Sequence, residues 1–168
     1  MRATLTGSTI VLMPNVFEPE WDAETERPPY RWRRSWIGRR AGAEQLGASL
    51  FEVAPGGSTF PLHLHHANEE LVLVLEGTLV LRSLDGERVL EPGDVVACLA
   101  GASGAHRLDN RSAEPARVLI VGTMHAPEIN EFPDSGVVWA RTTAPGAAGG
   151  PAAEIGGKAA SFDPLSLP

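Results

Sequence analysis

The stretch Pro61-Leu62-His63-Leu64-His65-His66-Ala67-Asn68-Glu69-Glu70, set between Gly57 and Gly77, decides how the rest of the chain is read. Three of the five histidines fall within four consecutive positions, and two carboxylates and the apolar run Leu71-Val72-Leu73-Val74-Leu75 follow at once. Imidazole and carboxylate are ordinary ligands of a divalent metal ion. Side chains alternate along an extended strand, so His63 and His65 project to one face and His66 to the other. By the same alternation Glu69 faces away from Glu70. The stretch is a candidate metal cage, and its flanks are the candidate container.

Outward from it, the chain reads as a succession of short strands over 46–54, 60–66, 70–75, 78–84, 87–90, 95–99, 106–110 and 117–123. Asp85-Gly86 between two apolar-alternating runs is a hairpin signal, and Glu91-Pro92-Gly93-Asp94 is a second turn. No helical period of ten or more residues is present between 46 and 123. At least seven strands at this spacing predict an all-β antiparallel sandwich or barrel. The continuous run Leu71 to Leu75 suggests a strand buried on both faces, between packed sheets or at a dimer interface.

The ends differ from this middle. Residues 1–40 read as an N-terminal arm with a short strand at Thr9-Ile10-Val11-Leu12-Met13, followed by Trp21, Tyr30, Trp32 and Trp36 interleaved with six arginines. Such a mixture could be a platform for single-stranded nucleic acid. The acidic residues Glu18, Glu20, Asp22, Glu24 and Glu26 before it favour an arm whose tryptophans pack on the barrel or a neighbouring subunit while its arginines face water. A tryptophan of this arm could cap the mouth of a pocket. The barrel domain is expected over 41–141. Residues 142–168, rich in Ala, Gly and Pro, read as a flexible tail, with Phe162 and Leu165 able to dock it locally.

Composition bounds the function. At 168 residues the chain is one domain with room for a core. Its net charge of -7 disfavours generic nucleic-acid binding. No apolar run reaches the length of a membrane span or of a signal-peptide core. The single cysteine, Cys98, excludes an intrachain disulfide framework and fits a reducing compartment, so the cytoplasm is the expected location. Cys98 itself reads as a core residue.

Gly57, His63, His65, Glu70 and Gly77 together resemble the first motif of the cupin superfamily, in which a glycine, His-x-His, a glutamate and a second glycine stand at these spacings. Gly93, Leu99-Ala100-Gly101, His106 and Asn110 resemble the second motif, with two departures. Leu99 replaces the usual proline, and four residues instead of two separate Gly101 from His106. The resemblance covers about 46–123. It implies a conical jelly-roll β-barrel, or double-stranded β-helix, with a metal inside held by His63, His65, Glu70 and His106. The segment from Glu128 to Gly136 also looks like a tail shared by a branch of small bacterial single-domain cupins.

The resemblance implies a divalent metal ion, with iron favoured and zinc, manganese, nickel or copper as alternatives, since availability decides as much as affinity. Three neutral imidazoles and one carboxylate leave a divalent site at about +1, which favours an anionic or oxygen-donor ligand. The expected function is a metal-dependent enzyme acting on a small organic molecule, with oxygenase-type (dioxygenase) chemistry first. An isomerase or lyase using the same metal to polarise a carbonyl is an alternative, and a non-catalytic ligand-binding or sensing module with a structural metal is another. Glu69 is the fallback ligand, and His125, outside both motifs, reads as solvated. A homodimer is expected, and neither a membrane nor nucleic acid is.

Overall fold

Alternation of apolar and polar residues, broken by glycine and proline turns, sets the strand pattern, and a computed structural model describes residues 2–6, 9–145, 152–154 and 165. The first part contains β1 (Arg2–Thr6), β2 (Thr9–Met13), β3 (Ala23–Arg27), β4 (Tyr30–Ser35) and the one-turn helix α1 (Ile37–Arg40). The middle contains β5 (Leu46–Val53), β6 (Leu64–His65), β7 (Glu70–Glu76), β8 (Leu79–Ser83), β9 (Gly86–Leu90) and β10 (Val95–Cys98). The last part contains β11 (Arg107–Asp109), β12 (Ala116–Thr123), β13 (Glu128–Phe132), β14 (Val137–Arg141) and β15 (Ala152–Glu154). All strand pairs between these elements are antiparallel.

A six-stranded sheet runs β10-β7-β12-β5-β4-β3. A three-stranded sheet β11-β8-β9 and a four-stranded sheet β15-β14-β13-β6 complete the architecture, a jelly-roll barrel with β12 at the centre of its largest sheet. On β12, Ala116, Val118 and Ile120 turn inward to meet Phe51 and Val53 of β5 and Val72 and Val74 of β7. Burying each such large apolar side chain stabilises the fold by about 1.5–3 kcal/mol. Leu79, Leu81, Leu90 and Leu108 close this core from the smaller sheet, and Cys98 packs within it as a small apolar group.

The stretch read as an arm contributes directly to the barrel. β4 pairs with β5 over Trp32–Val53 to Ser35–Leu50, and β3 pairs with β4, so the sheet begins at Ala23 rather than at residue 41. The reason is the alternation in YRWRRS: Tyr30, Trp32 and Ser35 are buried while Arg33 is exposed. Trp32 packs edge-on to Phe51 with ring centroids 5.4 Å apart. Arg33 pairs with Glu52, and Arg40 with Asp22 and Glu20, so part of the arginine set meets neighbouring carboxylates rather than open solvent. Arg34 is half-buried and lines a pocket, against the expectation that the arginines face water.

Other departures have equally local causes. Leu71 is 46% exposed while Val72 and Val74 are buried, so β7 shows one face to the core instead of burying both. The strand expected over 60–66 shrinks to Leu64–His65, because Pro61 has no N–H to donate to a ladder. The β8–β9 hairpin closes through Leu84-Asp85, one residue earlier than expected, with Ser83 opposite Gly86. The motif glycines are steric requirements. Gly77 has φ 72, and a Cβ there would lie 2.9 Å from Ala116 Cα; at Gly57 a Cβ would lie 2.6 Å from the Arg31 carbonyl oxygen. The expected flexible tail lies largely outside the described residues; of it, Ala152–Glu154 pair with β14 and Leu165 packs against the core.

Candidate metal centre

The centre is assembled by strand pairing. His63 and His106 form an antiparallel bridge, with the His63 N–H donating to the His106 carbonyl at 3.2 Å and the His106 N–H donating back at 2.9 Å. Their rings stand 4.6 Å apart between centroids. The four residues between Gly101 and His106 coil into a short 3-10 turn (Ala102–Gly104) after the Gly101 N–H has bonded the His65 carbonyl at 2.7 Å. The longer loop therefore leaves His106 opposite His63. Buried Asn110 braces the same region by donating to the carbonyls of Val53 and Glu114.

His65 lies on β6 with its ring 5.1 Å from that of His63, and Glu70 opens β7. Glu70 Oε2 is 3.1 Å from His106 Nε2 and 3.5 Å from His65 Nε2. Ligand atoms of His63, Glu70 and His106 all lie within 4.8 Å of one another. His65 stands outside that tight group and meets it through Glu70. The last residue that makes this possible is Gly122 on β12: a Cβ there would sit 3.0 Å from Glu70 Cγ.

Each imidazole is held from behind. His63 Nδ1 donates to the Pro61 carbonyl and His106 Nδ1 to the Gly104 carbonyl, both at 2.9 Å, which leaves Nε2 of each as the nitrogen able to ligate a metal. Behind His65 lie the Asn130 side-chain amide, 2.8 Å from Nδ1, and the Glu128 carboxylate, 3.4 Å from it. Glu128 is wholly buried and accepts a hydrogen bond from the Asn68 side chain. Asn68 in turn donates to the His125 carbonyl and accepts from the His125 N–H and the Thr123 hydroxyl.

The electrostatics follow from four titratable groups crowded at one pocket wall. Burial alone would raise the Glu70 carboxyl, but the hydrogen bonds and charges of His106 and His65 hold it well below the usual carboxylate range. Burial pushes His63 down to about 3, with the neighbouring His106 and His65 adding to the effect. Burial also opposes charge on His65, yet the Glu128 and Glu70 carboxylates lift it to about 9. His106 is raised well above the ordinary imidazole value, against burial, by Cys98 and Glu70. Protons thus gather around Glu70, where a divalent cation would compensate the same charge. His65 Nε2 is buried and, beyond its long 3.5 Å approach to Glu70 Oε2, has no hydrogen-bond partner among the described residues. An underused imidazole nitrogen, two imidazoles fixed through Nδ1 and a half-buried carboxylate fit a metal ion.

These residues line a pocket of about 250 Å³. Phe51, Phe60, Ile120 and Phe132 supply an apolar wall, Ser49, Thr59, Thr123 and Asn130 supply polar points, and Arg34 and Arg141 supply cations. Trp139 of β14 borders the pocket in the place expected of a tryptophan from the N-terminal stretch.

Of the residues singled out in the sequence, His63, His65, Glu70 and His106 converge on the pocket. His66 is exposed beside Glu131, 3.2 Å away, and Glu69 and His125 are exposed. Asn68, Glu128, Asn130, Arg34 and Arg141 were not anticipated. The signal for two of them was the alternation in EINEF, where Glu128, Asn130 and Phe132 share the buried face of β13. A strand with carboxylate and amide inward inverts the usual sense of a buried face, which hid it.

A family model described as Cupin domain matches residues 49–122. No curated protein sequence matches the chain. Among solved structures, a sugar phosphate isomerase from Silicibacter pomeroyi, itself placed in a cupin superfamily, is 30% identical over 80% of this chain and 83% of its own, with a TM-score of 0.68. A protein from Acidithiobacillus ferrooxidans, for which sugar phosphate isomerase is the proposed assignment, is 22% identical over 85% and 88%, TM-score 0.69, and speaks to the fold alone. The polyketide cyclase RemF from Streptomyces resistomycificus is 27% identical over 62% of this chain and 74% of its own, TM-score 0.52.

Proposed function

This chain belongs to the cupin superfamily, and from that premise we propose that it is a metal-dependent enzyme whose His63, His65, Glu70 and His106 hold a divalent ion against a small oxygen-rich substrate. The observation that carries this is the convergence of His63, Glu70 and His106 within 4.8 Å at the wall of a pocket, with the buried Nε2 of His65 beside them. A bound divalent ion would supply Lewis acidity, polarising a carbonyl or hydroxyl oxygen.

The chain's own residues do the rest. Glu70 is the one carboxylate on the pocket wall among the described residues, so a Glu70 oxygen not engaged by the ion is the group there that can take a proton from a carbon next to a polarised carbonyl and return it to the neighbouring carbon, while the hydroxyl proton passes to the former carbonyl oxygen. Pro61, Gly104 and Glu128 hold the imidazoles in place through Nδ1. Phe51, Phe60 and Phe132 exclude water around the reacting atoms. These roles fit isomerisation of a small hydroxy-carbonyl compound, and the Silicibacter pomeroyi structure, named as a sugar phosphate isomerase, supports that class.

The oxygenase expected first from the ligand set would use the same four residues at iron. Turnover in deuterium oxide separates the two. Isomerisation predicts deuterium at the carbon next to the carbonyl, no oxygen uptake, and loss of turnover after chelation. Oxygen consumption in proportion to turnover would replace this reading with the oxygenase one. The proposed assembly is a homodimer, with β10 at a sheet edge and Leu71 and Val95 exposed beside it; a monomer in sedimentation at micromolar concentration contradicts it.

A further inference from the structure

The pocket carries two cations that the metal reading does not use. Arg33, Arg40, Arg82, Arg111 and Arg117 each meet a carboxylate on the surface. Arg34 and Arg141, the two arginines on the pocket wall, form no ion pair among the described residues. Arg34 comes from β4 and Arg141 from the end of β14, so two different sheets deliver them to one cavity.

Their hydrogen bonding is incomplete. Arg34 donates Nε and Nη2 to the Ser49 hydroxyl, at 3.1 and 2.7 Å. A guanidinium has five N–H donors, so most of its capacity remains. Ser49 accepts twice, which turns its own O–H away from Arg34, and Ser49 also lines the pocket. Arg141 Nε is buried with no hydrogen-bond partner among the described residues. Burial lowers Arg34 to about 10, with Glu70 close enough to oppose the shift and Arg141 close enough to add to it. Arg141 is lowered by burial as well. Glu70 acts on Arg34 and Glu128 on Arg141 only from beyond ion-pair distance, so a ligand that brings a contacting counter-charge offsets the cost of withdrawing these cations from water.

We propose that Arg34 and Arg141, with Ser49, form an anion subsite that holds the phosphoryl group of a small phosphate monoester while its hydroxy-carbonyl end faces Glu70 and the histidines. Charge selects the phosphoryl group. Two guanidiniums match a group carrying about -1.5 to -2 at pH 7, whereas a lone carboxylate would leave one cation uncompensated. Size agrees: the 250 Å³ pocket has room for roughly eight waters' worth of ligand, a phosphate and a short carbon chain. The subsite rests on the proposed reaction for its role in turnover, but anion binding there needs no metal.

The test is a titration of the full chain, stripped of metal by chelation, with inorganic phosphate, followed by calorimetry and phosphorus NMR, with acetate as the carboxylate probe. The proposal predicts saturable one-site phosphate binding, at least tenfold tighter than acetate. Arg141→Met and Arg34→Met each weaken it tenfold or more, while His63→Ala changes it less than twofold. Arg34 is packed against Phe51 and Trp36, so if Arg34→Met does not fold, Arg141→Met and Ser49→Ala decide. Absence of saturable binding, phosphate binding untouched by Arg141→Met, or acetate binding as tight as phosphate overturns the proposal. Metal content of the same His63→Ala sample reports on the metal centre separately.

Discussion

At the scale of single residues, the site depends on groups that never reach the pocket centre. Glu128 is fully buried, and its role is to orient His65 through Nδ1. Glu128→Gln keeps the shape and removes the charge, and the expected outcome is a metal affinity lower by about 10–100-fold with the protein still folded, measured by competition with a chromophoric chelator. Gly122→Ala reaches the same ligand set from the other side, since its Cβ would press on Glu70 Cγ at 3.0 Å. Loss of bound metal with little loss of thermal stability is the expected signature. The histidines themselves were legible in the sequence because strand alternation places His63 and His65 on one face. The residues behind them were not, because Glu128 and Asn130 act from a strand some 60 positions away that pairs with β6 only after folding.

At the scale of elements, the central lesson is β4. Its residues look like an arginine-rich arm, and the pattern of Tyr30 and Trp32 inward with Arg33 outward is that of a half-buried strand. Trp32→Ala should therefore cost about 3–5 kcal/mol in chemical denaturation, the range for removing a large aromatic from a core; a cost near zero would mean that β4 is an appendage. Strands 46–54, 70–75, 87–90 and 117–123 were readable because each is a short apolar-rich run bounded by turn residues. Segment 60–66 was misjudged because apolar and histidine alternation continues through Pro61, where the hydrogen-bond ladder cannot. The turn at Gly77, where the chain crosses from β7 to β8 in the smaller sheet, offers a further check. Gly77→Ala places a Cβ 2.9 Å from Ala116 Cα at a φ of 72, and a loss of about 1–3 kcal/mol is expected.

At the scale of the whole molecule, charge pairs within the first forty residues (Asp22–Arg40) and from them to β5 (Arg33–Glu52) give stability a pH dependence. Asp22 lies well placed for this: it accepts two hydrogen bonds from Arg40 and one from the Trp36 N–H, and these hold its carboxyl below the usual value despite some desolvation. Burial would raise Glu52, but its bonds from Arg117 and Arg33 hold it below as well. A carboxyl whose folded pKa is depressed contributes stability above its unfolded pKa and loses it as pH falls through the folded one. The melting temperature is therefore expected to fall as pH drops below about 4, the ordinary carboxylate range, and Asp22→Asn should flatten part of that dependence. An unchanged slope would mean that the Asp22–Arg40 pair is not coupled to folding.

All of these features surround one claim, that the barrel exists to hold a metal ion with His63, His65, Glu70 and His106. The most direct measurement is elemental analysis of protein purified without added metal, set beside folded His63→Ala. Close to one divalent ion per chain in the unaltered protein, and its loss in the variant, is the predicted result. Metal-free protein that binds no added divalent ion, or equal metal content in both samples, would contradict it.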